Sequence, residues 1–220
     1  MTPGPSVERR EVRIAVDGEA IVGDLSVPAQ ACAVVVFAHG SGSSRHSRRN
    51  QQVADALVAG GHATLLLDLL TAREEEVDLR TRALRFDIDL LASRVVDAVD
   101  WVRADRELGD LPVGLFGAST GAAAALVAAA RRAEQVASVV SRGGRPDLAG
   151  EVLPAVAAPT LLIVGGADLA VIGMNQEAKA RMPDGTALEI VPDATHLFEE
   201  PGALERVAEL ALDHLDRTLR

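Results

Sequence analysis

The hydrophobic pattern of the chain alternates between short, continuous apolar runs and longer segments with a helical period. Continuous runs bounded by turn residues are typical of strands that are covered on both faces of a parallel sheet. Such strands are predicted over residues 31–40, 62–70, 111–117, 136–141, 159–166 and 187–192. Ahead of them, residues 10–16 and 20–28 are predicted as two strands of a hairpin that turns at Asp17-Gly18.

Helices are predicted between the strands, where apolar residues recur at helical spacing. Leu91, Val95, Val99 and Val102 form one such stripe. The predicted helices span residues 51–61, 86–106, 120–133 and 202–219.

The alternation of strands and helices indicates a mostly parallel sheet with helices on both faces. The charged segment TAREEEVDLRTR, residues 71–82, is interpreted as a loop. The connection over residues 141–159 is short, so we expect no large cap domain over the sheet.

Composition narrows the class of protein. Hydrophobic residues make up 48% and charged residues 25% of the 220 residues, and we expect one domain over residues 1–220. A net charge of −10 and an aromatic content of 2% disfavour binding to nucleic acid or to an anionic membrane. With Cys32 as the single cysteine and no long apolar segment at the N-terminus, we expect a cytoplasmic protein. The five histidines show no metal-ligand spacing, so no metal or other cofactor is predicted.

Residues able to carry out acyl transfer follow three of the predicted strands. Ser119 lies in a G-x-S-x-G motif, residues 117–121, between a strand and a helix, and Asp168 and His196 each follow a later strand. Ligands bind at the carboxyl ends of such strands. We therefore predict Ser119 as the nucleophile, Asp168 as the orienting acid and His196 as the base. Asp193, three residues before His196, is the rival acid, interpreted as a residue that shapes its loop.

The strand-to-helix corner at Ser119 also predicts an oxyanion hole. A helix N-terminus offers free N–H groups and a positive dipole end, which stabilise a developing negative charge. The Thr120 N–H is one expected donor, and the backbone of Ser41 or Gly42, in an earlier strand-end loop, is the other. His39, which precedes that loop, is interpreted as an anchor held by hydrogen bonds rather than as a proton-transfer group.

The chain resembles the α/β-hydrolases over nearly its whole length, and within them the dienelactone hydrolase-like group. The likeness is carried by VVVFAHGSGSSRHSRRN, GLFGASTGAAAAL, SRGGRPDLAG, LLIVGGAD and ATHLFEEPGALE. It implies an eight-stranded sheet with an antiparallel second strand and a serine hydrolase site. Dienelactone hydrolases proper use a cysteine nucleophile, whereas the motif here holds Ser119. This departure favours a broader carboxylic-ester activity, lactones included.

Arg142 and Arg145 follow another predicted strand at the same edge of the sheet. A guanidinium group can hold a carboxylate through two hydrogen bonds, so one of these residues is a candidate for binding an acidic group of the substrate. The alternative is a surface salt bridge. Arg45, Arg48 and Arg49 form a second basic cluster, interpreted as part of a solvated loop.

These features predict a serine hydrolase that cleaves esters of small, compact acids through an acyl-enzyme on Ser119. An acyltransferase with the same triad and a non-catalytic ligand-binding protein of the same fold remain alternatives. The expected partner is a small-molecule ester, and a homodimer is one assembly that the sequence leaves open.

Overall fold

The computed structural model describes residues 6–219, so the first five residues and Arg220 of the predicted domain lie outside the described residues. The strands are β1 (Val7–Val16), β2 (Glu19–Pro28), β3 (Ala33–Ala38), β4 (His62–Leu67), β5 (Val113–Ala118), β6 (Val136–Arg142), β7 (Thr160–Gly165) and β8 (Ala187–Val191). The α-helices are α1 (Arg48–Ala59), α2 (Ala72–Thr81), α3 (Ile88–Ala104), α4 (Thr120–Arg131), α5 (Leu169–Lys179) and α6 (Ala203–Thr218).

All of these strands form one eight-stranded sheet in the order β1-β2-β4-β3-β5-β6-β7-β8. Strand β2 runs antiparallel to both of its neighbours, and every other neighbouring pair from β4 to β8 is parallel. The predicted α/β-hydrolase sheet, with its antiparallel second strand, is therefore confirmed. The chain order reverses direction between β3 and β5, and this is the place where open α/β sheets bind ligands.

The central strands are buried because helices cover both faces of the sheet. Strands β3, β4, β5 and β7 have no exposed residue, and the rings of Phe37 and Phe116 stack with centroids 4.7 Å apart between β3 and β5. Side chains of α3 and α4 join the apolar core on one face, and those of α1 and α6 join the core on the other. This layering explains why the sequence shows continuous apolar runs instead of strict alternation.

Two helices were not expected from the sequence. Residues 71–82 do not form a loop, because the Thr71 hydroxyl accepts a hydrogen bond from Glu74 N–H while the Glu74 carboxylate accepts one from Thr71 N–H. This reciprocal capping starts α2 without any apolar stripe. Helix α5 was also missed, since only Val171, Asn175 and Ala178 are buried along it.

The connection between β6 and β7 contains only a short 3₁₀ segment, Pro146–Ala155, so the expectation of no large cap is confirmed for the described residues. None of the helices within residues 6–219 has the length and apolar character needed to cross a membrane.

Candidate active site

Ser119 occupies the sharp corner between β5 and α4. Its backbone has φ 52° and ψ −121°, a conformation that L-residues with side chains rarely adopt. Three hydrogen bonds hold it there: Ser119 N–H donates to the Arg142 carbonyl, and the Ser119 carbonyl accepts from Ala122 N–H and Arg145 N–H. Such strain costs roughly 1–3 kcal/mol and persists only where the surroundings enforce it.

The two glycines of the motif are required by close backbone approach. A Cβ atom on Gly117 would lie 2.4 Å from Ala122 Cα, and one on Gly121 would lie 2.3 Å from the Ala38 carbonyl oxygen. Both contacts are impossible for a real side chain. Glycine at these positions therefore lets α4 start directly against β5 and against the end of β3, which brings Ser119 to the sheet edge.

Asp168 and His196 are brought together by two loops that are joined through their backbones. Ala167 N–H donates to the Ala194 carbonyl at 2.9 Å, and a Cβ atom on Gly165 would collide with the same oxygen at 2.3 Å. The result is a contact of 2.7 Å between His196 Nδ1 and Asp168 Oδ2. The Asp168 side chain is 17% exposed and that of His196 is 39% exposed, so the imidazole can meet a ligand while the carboxylate behind it is shielded.

The rival acid, Asp193, makes no hydrogen bond to His196 in the described structure. It has φ 60°, and the neighbouring Gly166 N–H donates to the carbonyl of Val191. Asp193 therefore occupies a left-handed turn position that aspartate tolerates.

Ser119 and His196 line one cavity of about 250 Å³ at the carboxyl edge of the sheet. No hydrogen bond joins the Ser119 hydroxyl to the imidazole within the described residues. Catalytic hydrogen bonds are often long in ligand-free sites and tighten when substrate binds.

The predicted oxyanion donors lie in different places. Thr120 begins α4, where the first N–H groups have no acceptor inside the helix. Ser41 lines the cavity together with Ser119, and its N–H has no acceptor among the described residues. Gly42 does not line this cavity: it has φ 69°, and a Cβ atom on it would lie 3.1 Å from Arg85 Nη1.

His39 holds the loop after β3 that contains Ser41 and Gly42, called the oxyanion loop below, by bridging the ends of β3 and β4. Its Nδ1 lies 2.8 Å from the Gly40 carbonyl oxygen, and its Nε2 accepts a hydrogen bond from Leu69 N–H at 3.2 Å. Burial lowers the pKa of His39, which favours the neutral ring that this pair of hydrogen bonds requires.

The two candidate arginines have different surroundings. Arg145 pairs with Asp147 through two hydrogen bonds of 2.7 and 2.8 Å, and it does not line the cavity. Arg142 is 7% exposed and lines the cavity beside Ser119.

Three residues from the start of α1, Ser47, Arg49 and Asn50, also line this cavity. Sequence reasoning missed them because nothing local indicates that the N-terminus of α1 faces Ser119. Within residues 6–219, no three His, Cys, Asp or Glu side chains form a group that could hold a metal ion.

Comparison with known proteins agrees with this geometry. A family model described as "Alpha/beta hydrolase domain" matches residues 31–219. The crystal structure of a dienelactone hydrolase from Anabaena variabilis is 56% identical with a TM-score of 0.95, covering 97% of this chain and 99% of that one. A cold-adapted esterase from an Arctic intertidal metagenomic library is 20% identical with a TM-score of 0.77, covering 98% and 95% of the two chains, and this likeness shows the fold alone.

A curated relative from Mycobacterium tuberculosis, provisionally named as a phosphoribosyl transferase, is 56% identical over 209 residues. The match covers 95% of this chain but 46% of the relative, so the chain spans about half the length of that protein. The family match over most of the sequence and the close structural agreement at 56% identity show that the chain belongs to the α/β-hydrolase family, among its dienelactone hydrolase-like members.

Proposed function

We propose that this chain hydrolyses carboxylic esters of small, compact acids through an acyl-enzyme on Ser119. The observation that supports this most is the cavity that Ser119 and His196 share, with Asp168 2.7 Å behind the imidazole. Ser119, Asp168 and His196 follow one another in the chain in the order expected for the nucleophile, the acid and the base of an α/β-hydrolase.

The contact between His196 and Asp168 fixes which nitrogen acts on the serine. A carboxylate at 2.7 Å accepts a hydrogen bond from Nδ1–H, so Nε2 keeps its lone pair. Nε2 takes the proton of Ser119 as the hydroxyl oxygen attacks the ester carbonyl carbon. Asp168 stabilises the imidazolium ion that forms.

The negative charge that develops on the carbonyl oxygen is stabilised by N–H groups that have no other acceptor within residues 6–219. Thr120 N–H belongs to the start of α4, and Ser41 N–H belongs to the loop after β3 that lines the cavity with Ser119. The tetrahedral intermediate then expels the alcohol, which takes the proton from His196. Water attacks the acyl-enzyme by the same route and releases the acid.

The test is turnover of a short para-nitrophenyl ester by wild type, Ser119→Ala and Ser93→Ala. Ser93 is a matched control because its hydroxyl donates to the Leu90 carbonyl on α3 and does not line the cavity. We expect Ser119→Ala to lose at least about 10³-fold in kcat while Ser93→Ala keeps wild-type activity. Full activity in Ser119→Ala would rule out the acyl-enzyme. Product analysis with added alcohol acceptors separates a hydrolase from an acyltransferase.

A further inference from the structure

Arg142 is a buried cation without an acidic partner. Its Nη2 donates to Asn50 Oδ1 at 3.3 Å, its Cζ lies 5.9 Å from the centroid of the Phe198 ring, and its Nε is buried with no hydrogen-bond partner. No Asp or Glu of the described residues pairs with it. Fully buried arginines are normally paired, because an uncompensated buried charge is costly.

A second arginine contributes to the same cavity. Arg49 lines it and pairs with Glu199 at 3.2 Å through Nη1, while its Nε is also buried without a partner. Burial, and next the charge of Arg49, lower the pKa of Arg142 to about 10, so that Arg142 stays protonated at neutral pH.

The cavity lining itself contains no acid: Glu199, which pairs with Arg49, does not line the cavity, and no acid of the described residues pairs with Arg142. Besides Ser119, His196 and the two arginines, the lining consists of Gly40, Ser41, Ser43, Ser47, Asn50, Ala118 and Leu197. The first turn of α1 supplies Arg49 and Asn50, and a helix N-terminus favours an anion. The chain as a whole has a net charge of −10, so the absence of Asp and Glu from this lining contrasts with the overall charge of the protein.

We propose that the ester substrate carries a second group, an oxyanion such as a carboxylate or a phosphate, which Arg142 binds beside Ser119. The proposal rests on the proposed function and specifies its substrate class. The Arg142 guanidinium, which pairs with no acid among the described residues, supplies charged hydrogen bonds to this group, and Arg49 lines the same cavity. The cavity has a volume of about 250 Å³, which accommodates a compact acid.

The test compares two esters of similar size that differ in charge, para-nitrophenyl hemisuccinate and para-nitrophenyl butyrate. Charged hydrogen bonds of this kind correspond to about 10- to 100-fold in affinity, so we expect wild type to prefer the hemisuccinate in kcat/KM by that factor. In Arg142→Gln we expect KM for the hemisuccinate to rise, so that the preference for this ester disappears. Arg142→Lys should restore part of the preference.

The control for replacing an arginine is Arg132→Gln. Arg132 pairs with Asp100 at 2.8 Å at the end of α4 opposite to Ser119, and we expect this variant to keep the wild-type preference. Equal kcat/KM for both esters in wild type, or an equal loss on both esters in Arg142→Gln, would overturn the proposal.

A second measurement uses wild type alone, in case Arg142→Gln does not fold. A neutral fluorophosphonate labels Ser119, and we expect succinate or inorganic phosphate to slow labelling while succinamide does not. If just one of the two anions protects Ser119, the result identifies the bound group as a carboxylate or as a phosphate. If neither anion protects, the proposal is overturned. If no adduct forms and no ester is turned over, the proposed function fails by itself. Titration calorimetry with the same two anions then decides on the anion site, and absence of binding refutes it.

Discussion

Replacing Gly121 by alanine tests whether the close contact between α4 and β3 positions the catalytic groups. The added Cβ would lie 2.3 Å from the Ala38 carbonyl oxygen and 2.4 Å from that of His39, so the first contact is 0.7 Å inside the 3.0 Å limit that real Cβ atoms respect. Both neighbours are backbone atoms and cannot rotate away. The start of α4 or the end of β3 must therefore move.

Either movement separates Ser119 and Thr120 from the oxyanion loop that follows β3. A displacement of about 1 Å in a catalytic site costs on the order of 10²-fold in rate. Overpacking of this kind also costs about 1–3 kcal/mol of stability. We expect Gly121→Ala to lower kcat on a neutral ester on the order of 10²-fold and to lower the urea midpoint.

Gly173→Ala is the matched control, since a Cβ there meets nothing within 4 Å and Gly173 lies inside helix α5. Alanine at this position should stabilise the protein by about 0.5–1 kcal/mol and leave kcat unchanged. If Gly121→Ala keeps both the wild-type kcat and the wild-type urea midpoint, the close contact does not position the site.

Three further predictions concern the groups around Ser119. Asp168→Asn should lower kcat by about 10³- to 10⁴-fold because the imidazole loses its carboxylate partner, whereas Asp193→Asn should stay close to wild type in the same steady-state assay. Asp78→Asn should lower kcat about tenfold at unchanged KM, since the buried Asp78 carboxylate holds Arg85 against the oxyanion loop. Lowering the pH from about 7.5 to about 5.5 should reduce the free energy of unfolding measured with urea. Burial lowers the pKa of His39 in the folded state, so the unfolded chain binds this proton at a higher pH than the folded protein does and is favoured as the pH falls. A free energy of unfolding that stays constant over this range would contradict a buried, neutral His39.

The sheet and the positions of its active-edge residues were predictable because they depend on local patterns. Continuous apolar runs marked β3 to β7, and the spacing of Gly117, Ser119 and Gly121 marked the corner between a strand and a helix. Parallel strands then bring their carboxyl ends to one edge, which is why Asp168 and His196 could be predicted to meet there before their contact of 2.7 Å was known.

Two helices were missed because neither buries a clear apolar stripe. The only buried residue of α2 is Asp78, a carboxylate that pairs with Arg85, and the charged sequence around it is typical of a loop. In α5, Leu169 at the first position is 76% exposed. Capping and tertiary ion pairs decide such segments, and hydrophobic periodicity does not detect them.

The surroundings of the arginines depend on tertiary structure. Arg142 and Arg145 stand three residues apart, and the chain turns between them at Gly143, which has φ 51°. That turn leaves Arg142 in the cavity and Arg145 beside Asp147. Arg49 was interpreted as a solvated loop residue, and only the packing of α1 shows that it faces Ser119.

The measurement that tests the central claim most directly is the intact mass of the protein after incubation with a fluorophosphonate. It should be made on wild type and on Ser119→Ala, with folding of both checked by circular dichroism. We predict one adduct on wild type and none on the variant, because the proposed function makes Ser119, which shares a cavity with His196, the nucleophile. A folded wild type without an adduct, or the same adduct on Ser119→Ala, would contradict the account.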